Sequence, residues 1–110
     1  MVADEYAYIG RDNIIRRVLL IDGNALSSAQ EAAITKVTVK IGPYCLDTTA
    51  SEDPIEYSDG TVEIQVGLIP TIKKGMYNAE VTVFDPTMPN GKAWGSFTVY
   101  VDTWDACDDS

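Results

Sequence analysis

Apolar residues recur at every second position in four stretches of the chain, and polar residues fill the positions between them. A period of two places alternate side chains on opposite faces of a β-strand, so each stretch predicts a strand with one buried face. The stretches are residues 34–41, 61–68, 76–84 and 94–102, with the inward positions Val37, Val39, Ile41, Val62, Ile64, Val66, Leu68, Tyr77, Ala79, Val81, Val83, Phe97, Val99 and Val101.

Shorter or less regular stretches complete the pattern. Residues 14–21 predict a fifth strand whose inward face is not defined, residues 6–9 and 43–48 predict edge strands, and residues 27–33 favour a helical turn. Turn-forming residues separate these elements: Asp22-Gly23-Asn24, Gly42-Pro43, Asp59-Gly60, Lys74-Gly75 and Pro89-Asn90-Gly91. Short strands at about ten-residue spacing predict an all-β fold, an Ig-like antiparallel β-sandwich of about seven strands.

Gly75 and Tyr77 begin one of the predicted strands. In Ig-like sandwiches a tyrosine at a turn between the two sheets donates its hydroxyl to the backbone a few residues upstream. Residues 72–77 have this form, so we expect a structural role for Tyr77 and a sharp entry at Gly75. A catalytic role would need an acid or base partner nearby, and the sequence offers none. Ala79 stands where an antibody-type domain places its second cysteine, which favours the wider Ig-like class.

The length of 110 residues suits one domain, for which we expect a sandwich with a short N-terminal arm over residues 1–102 and an acidic tail over residues 103–110. The net charge of -9 disfavours nucleic acid and anionic membranes as partners, because such a surface repels phosphate. No apolar run reaches the ~18 residues of a membrane helix, and the first residues lack a signal-peptide pattern. We therefore expect synthesis in a cytoplasm without export by a standard leader.

The chain has no histidine, which removes the usual nucleophilic triads and most transition-metal sites. Cys45 and Cys107 are too few for a structural zinc site, and whether they pair stays open. We expect no enzyme activity, no cofactor, no small-molecule substrate and no metal. One alternative is a Ca²⁺ site in the acidic stretch 47–59, although its carboxylates lack the order of a known calcium loop. Those carboxylates belong to Asp47, Glu52, Asp53, Glu56 and Asp59.

Aromatic residues are the strongest candidates for a binding surface. Trp94, Tyr100 and Trp104 fall on or just beyond the last predicted strand in the outward phase, and Tyr6 and Tyr8 lie near the amino end. Exposed tryptophan and tyrosine are favoured anchors of protein interfaces. The alternative is that Trp94 covers the end of the sandwich, or that a second layer buries this face, and both interpretations stay open.

Read from end to end, the chain resembles a group of small Ig-like structural proteins and domains of tailed bacteriophages. Its matching pieces span residues 10–102, although Gly10-Arg11-Asp12 departs from the Arg-Gly-Asp order of that group. The pieces are Gly10-Arg11-Asp12, Ile21-Asp22-Gly23, Val37-Thr38-Val39, Asp59-Gly60-Thr61-Val62, Gly75-Met76-Tyr77 and Gly95-Ser96-Phe97-Thr98-Val99.

The resemblance implies a virion component present in many copies, with itself and other virion proteins as partners. Its place would be the tail, the baseplate or the head–tail region. Two alternatives remain: a capsid decoration protein, and an Ig-like module that binds carbohydrate or a host surface through Trp94 and Trp104.

Overall fold

The computed structural model describes residues 3–11, 13–21 and 23–103, and most of these residues lie in strands. The predicted all-β class is therefore confirmed. The strands are β1 (Glu5–Tyr8), β2 (Ile15–Val18), β3 (Leu20–Ile21), β4 (Asn24–Ala25), β5 (Lys36–Ile41), β6 (Tyr44–Asp47), β7 (Ile55–Ser58), β8 (Thr61–Ile64), β9 (Gly75–Asp85) and β10 (Met88–Asp102). A six-residue helix, α1 (Ser28–Ala33), and a 3-10 turn over Val66–Leu68 complete the elements.

The strands form two main sheets and one small hairpin. A five-stranded sheet has the order β1-β10-β9-β5-β6, in which β1 runs parallel to β10 and the other pairs are antiparallel. A three-stranded antiparallel sheet has the order β2-β8-β7, and β3 pairs with β4 alone. The two short strands predicted near residues 6–9 and 43–48 are the outermost strands of the larger sheet.

One hydrophobic cluster lies between the two main sheets. The apolar positions of the alternating pattern point into this cluster, where those of β5, β9 and β10 meet those of β2, β7 and β8. Its members from the sheets are Ala7, Ile15, Val37, Val39, Ile41, Leu46, Ile55, Val62, Ile64, Ala79, Val81, Val83, Phe97, Val99 and Val101. The two sheets therefore pack as the layers of one core.

The predicted strand 61–68 is too long. Pairing ends at Ile64, and the chain turns through the 3-10 turn, which leaves Leu68 41% exposed where an inward position was expected. The reason is the close approach of β1, because a Cβ on Gly67 would lie 2.0 Å from the Tyr8 carbonyl oxygen. Gly67 also accepts a hydrogen bond from the Gly10 amide at 2.8 Å. Ile69 and Ile72 take the buried positions instead.

The predicted turn at Pro89-Asn90-Gly91 is also wrong. The chain reverses at Pro86 and Thr87, where the Asp85 carboxylate accepts hydrogen bonds from the backbone amides of Thr87 and Met88 at 2.8 Å each. Residues 89–91 lie inside β10, where three residues stand opposite one residue of β9. They form an irregular bulge, and Gly91 at φ +83° supplies the backbone conformation it needs.

The region 14–33 divides into short pieces. Residues 14–21 split into β2 and β3 at the buried Leu19, and Ile15 and Leu19 are their inward residues. The helix α1 begins with a reciprocal capping box between Ser27 and Gln30.

Tyr57 connects α1 to the β7–β8 turn, because its hydroxyl donates to the Glu31 carbonyl at 2.8 Å and accepts from the Gly60 amide. Burial raises the pKa of Tyr57. The turn residue Asp22 lies outside the described residues.

Two tyrosines hold the segment that crosses between the sheets before β9. The Tyr77 hydroxyl donates to the Lys73 carbonyl at 2.6 Å, which is the upstream backbone bond expected from the sequence. Tyr44 packs edge-to-face on Tyr77 at 6.3 Å between ring centroids, and its hydroxyl donates to the Thr71 carbonyl at 3.0 Å. Gly42 leaves room for the Tyr77 ring, because a Cβ there would lie 2.7 Å from it.

The acidic stretch 47–59 is organised by its own backbone. The Asp47 carboxylate accepts from the Thr49 hydroxyl at 2.6 Å and the Thr49 amide at 2.8 Å, and Asp53 accepts from the Asp47 amide at 2.9 Å. These Thr49 hydrogen bonds, together with Lys36 at 3.8 Å, lower the pKa of Asp47 below its usual value. The carboxylates of Asp47 and Asp53 therefore serve as acceptors within this turn.

The Tyr77→Phe substitution should lower the free energy of unfolding by about 1 kcal/mol, because the Lys73 carbonyl loses its donor. Urea denaturation measures this effect. Tyr100→Phe is the matched control, since its hydroxyl bonds no described residue, and we expect a change below about 0.5 kcal/mol. Equal effects of the two substitutions would contradict a stabilising role for the Tyr77 hydroxyl in the segment before β9.

The Asp47→Asn substitution should destabilise the chain at pH 7, and the effect should shrink in acid. Because the folded-state pKa of Asp47 is lowered, its contribution is present above the unfolded-state pKa of about 3.9 and is lost as the pH falls through the folded-state pKa. Denaturation of both chains between neutral and acidic pH measures this change. Glu56→Gln removes a nearby charge without removing these hydrogen bonds and serves as the control. If the loss of unfolding free energy caused by Asp47→Asn does not vary with pH, the explanation by a lowered Asp47 pKa is wrong.

Candidate functional site

An exposed row of large side chains crosses the outer face of the five-stranded sheet. Tyr6 is the register partner of Tyr100, and Tyr100 is the register partner of Met76, so the three residues are neighbours on β1, β10 and β9. The two tyrosine rings meet edge-to-face with centroids 6.1 Å apart. Tyr6 is 51% exposed and Met76 is 42% exposed. We call Tyr6, Tyr100 and Met76 the tyrosine row.

Contacts of β1 with β10 position the tyrosine row. The Asp4 carboxylate accepts from the Thr98 amide at 3.0 Å, and the Asp4 amide donates to the Thr98 hydroxyl at 3.0 Å. The inward Ala7 is fully buried, which leaves its neighbours Tyr6 and Tyr8 on the outer side. Tyr8 is half-buried opposite Asp102, next to the row. The structure thus brings together three of the five aromatic residues proposed from the sequence.

Trp94 lies apart from the tyrosine row, and the expectation that it shares the outward face of Tyr100 is wrong. A second bulge in β10 places one extra residue, Trp94, between the register partners of Thr82 and Val81. A bulge shifts the alternation of side chains, and Trp94 is half-buried against the core cluster. It therefore packs against the core, as in the alternative interpretation that it covers part of the sandwich.

Trp94 also lines a groove of about 340 Å³. The groove lies between the β3–α1 region and the adjoining ends of β9 and β10, and we call it the Trp94 groove. Its lining is Leu20, Ile21, Leu26, Gln30, Ile34, Val83, Asp85, Met88, Lys92, Ala93 and Trp94. The buried indole Nε1 of Trp94 has no hydrogen-bond partner among the described residues. Lys92 Nζ lies 6.0 Å from the centroid of the Trp94 ring.

A second depression, of about 210 Å³, lies on the other side of Trp94. Arg17 closes the space between the sheets here, because its guanidinium lies 4.5 Å from the centroid of the Phe97 ring and bonds Glu5 at 2.9 Å. Next to it, Val18 is 59% exposed and Leu20 is 46% exposed. Apolar surface therefore continues from this depression into the Trp94 groove.

Sequence reasoning did not identify Met76, Val18 or Leu20 as surface residues. One signal was present, because residues 14–21 carry more apolar residues than one buried face requires. Trp104 and the acidic tail from residue 104 onward lie outside the described residues, as do Cys107 and Asp12. Cys45 is exposed on the edge strand β6.

The described residues contain no group of three or more side chains suited to hold a metal ion. The acidic stretch therefore offers no support for the Ca²⁺ alternative. Among the same residues, no helix combines the length and the apolar character needed to cross a membrane. What the described residues do present is two separate surfaces, the tyrosine row and the Trp94 groove.

Comparisons of the chain with protein-family models, with curated proteins and with solved structures found no significant match.

Proposed function

We propose that the chain is a non-enzymatic structural protein of a tailed bacteriophage particle, an Ig-like β-sandwich that makes protein–protein contacts in many copies. The observation that carries the proposal is the tyrosine row, an aromatic patch exposed on a sheet face. The bacteriophage setting comes from the ordered motifs between residues 10 and 102 of the sequence.

The strand order supports the Ig-like part of the proposal. In an Ig-like domain the second, fifth and fourth strands share one sheet, while the third, sixth and seventh share the other. Taking β2 as the second strand, β5 to β10 follow with one additional strand, β6, next to β5. The sheets β2-β8-β7 and β10-β9-β5-β6 then have the order expected for a variable-type Ig domain. The tyrosine that bonds the backbone before β9 is a further Ig-like feature.

The surroundings of the tyrosine row support a role in protein binding. Tyrosine buries a large area at low conformational cost and is enriched among the residues that dominate binding energy. Polar residues of the same face adjoin the row, among them Thr98, Asn78 and Glu80. An aromatic centre with a polar rim is the usual anatomy of a protein interface.

The edges of the larger sheet support contacts with several neighbours. β1 and β6 are its outermost strands, and each is four residues long. Edge strands present free backbone groups that a partner strand can extend. The net charge of -9 keeps free copies apart until a complementary surface meets them.

Mass spectrometry of density-purified virions tests the proposal. We expect the chain in many copies per particle in virions produced from the genome that encodes it. Its absence from purified particles would overturn the proposal. Mixing the purified chain with tail-less heads and with isolated tails then separates a tail or head–tail role from capsid decoration, because only the correct acceptor should retain it.

The tyrosine row makes a second, residue-specific prediction. Tyr100→Ala should lower incorporation into particles about tenfold or more, because a central interface tyrosine is removed. The folded state should be retained, since the outer face of Tyr100 is not part of the core. Ser58→Ala, at an exposed position of β7 in the smaller sheet, is the control and should incorporate like the unchanged chain. Equal incorporation of Tyr100→Ala would show that the contact lies elsewhere.

A further inference from the structure

The Trp94 groove has an apolar floor and one cation, Lys92, that lacks an ion-pair partner. Leu26 and Val83 are buried members of the core cluster that reach its floor. The buried Nε1 of Trp94 donates to no described residue. Lys92 forms no ion pair with any described residue, although four other basic side chains do. An occupant with an apolar side chain and a negative charge would match the apolar floor and Lys92.

Asp85 is the acidic residue of the groove, and its carboxylate is directed to the neighbouring turn. One oxygen accepts from the amides of Thr87 and Met88 and from the Thr87 hydroxyl, at 2.7 to 2.8 Å. The Lys92 ammonium lies next to the Trp94 ring instead. Lys92 is therefore the cation of the groove that the Asp85 carboxylate leaves unpaired.

Residues 103–110 of this chain have the required chemistry. Their sequence, TWDACDDS, places Trp104 beside Asp105, with Asp108 and Asp109 shortly after and no basic residue. An indole ring suits the apolar floor, and a pocket of this volume falls within the usual range for bound groups of about 300 to 1,000 Å³. An aspartate of the segment can pair with Lys92.

The geometry of β10 decides which copy supplies the segment. Trp94 and Asp102 are eight residues apart on this strand, a span of roughly 26 Å at about 3.3 Å per residue. Trp104 follows Asp102 by two residues, and two residues reach at most about 7 Å. A copy therefore does not place its Trp104 in its own groove by this route. Another copy has no such constraint.

We propose that residues 103–110 of one copy dock in the Trp94 groove of a second copy, with Trp104 on the apolar floor and an aspartate on Lys92. The groove and the segment are different surfaces, so the contact joins copies either reciprocally in a closed dimer or head to tail in a longer array. This docking contact would explain how many copies assemble, and it rests on the proposed function only for its biological setting. The contact itself can be measured with the purified chain.

Disulfide trapping tests the contact directly on the full chain. In a Cys45→Ser background, Met88→Cys places a thiol at the groove within reach of Cys107 from a docked segment. Mild oxidation should produce disulfide-linked species of two or more copies, and a reductant should return them to single chains. Ser58→Cys, on the exposed face of β7 outside the groove lining, is the matched control and should be trapped about tenfold less. Equal trapping of both variants, or a bridge within single copies only, would overturn the proposal.

Peptide binding tests the chemistry of the groove. A labelled peptide of residues 102–110 should bind saturably to the full-length Trp104→Ala chain in fluorescence anisotropy. Lys92→Glu should weaken binding about tenfold or more, because an attraction to the acidic segment becomes a repulsion. Lys40→Glu, an exposed lysine on the outer face of β5, is the matched control and should bind like the parent. The Trp104→Ala peptide should bind about tenfold or more weakly as well.

The absence of saturable binding, or equal binding by Lys92→Glu and Lys40→Glu, would overturn the proposal. Circular dichroism establishes that each variant is folded, and Lys92→Gln replaces Lys92→Glu if the latter unfolds. These measurements use purified protein alone. If the chain docks but is absent from virions, the proposed function is wrong and the docking inference stands. If the chain is present in virions but does not dock, only the docking inference is wrong.

Discussion

The pairing of β9 with β10 is the constraint on which the rest of the structure depends. Ala79 stands opposite Phe97, a small residue against a large one, and both are buried. A slip of one residue would turn Phe97, Val99 and Val101 toward solvent. Each such side chain contributes about 1.5 to 3 kcal/mol by its burial, so the register has no close competitor. That register places Tyr100 on the outer face, and the bulge at Trp94 places this residue on the inner one.

The crossing before β9 is rigid for a different reason. Thr71 has a φ of +65°, a conformation that is costly for a β-branched residue. The Tyr44 hydroxyl holds the Thr71 carbonyl, and the Tyr77 hydroxyl holds the Lys73 carbonyl two residues later. Buried Ile69 and Ile72 anchor the same segment from the core side. Strain of this kind persists only where the surroundings over-determine the backbone, so this end of the sandwich is framework rather than an adaptable binding surface.

Local alternation predicted most of the fold, because a period of two is a property of each strand alone. It identified the buried faces of β5, β9 and β10. The Tyr77 bond was predicted separately, from the turn pattern of Ig-like sandwiches at residues 72–77, and its two partners are four residues apart. Local alternation failed where a distant segment decides the outcome. The strand at residue 61 stops early because Gly67 meets the backbone of Tyr8, and the β10 bulges exist only relative to β9. The candidate site was the part least predictable from the sequence, because Tyr6 and Tyr100 become neighbours only through the parallel pairing of β1 with β10.

The separation of the two surfaces has a consequence for assembly. The tyrosine row lies on an outer sheet face, and the Trp94 groove opens near the other end of β10, so the proposed assembly would let one copy engage two partners at once. Copies that carry a net charge of -9 repel each other at long range, and this repulsion falls off over about 10 Å at 0.1 M salt. In the proposed assembly, a contact with local complementarity, such as an aspartate on Lys92, would have to outweigh this repulsion. An acidic surface with few such contacts would then restrict the geometry in which copies meet, because other approaches bring like charges together.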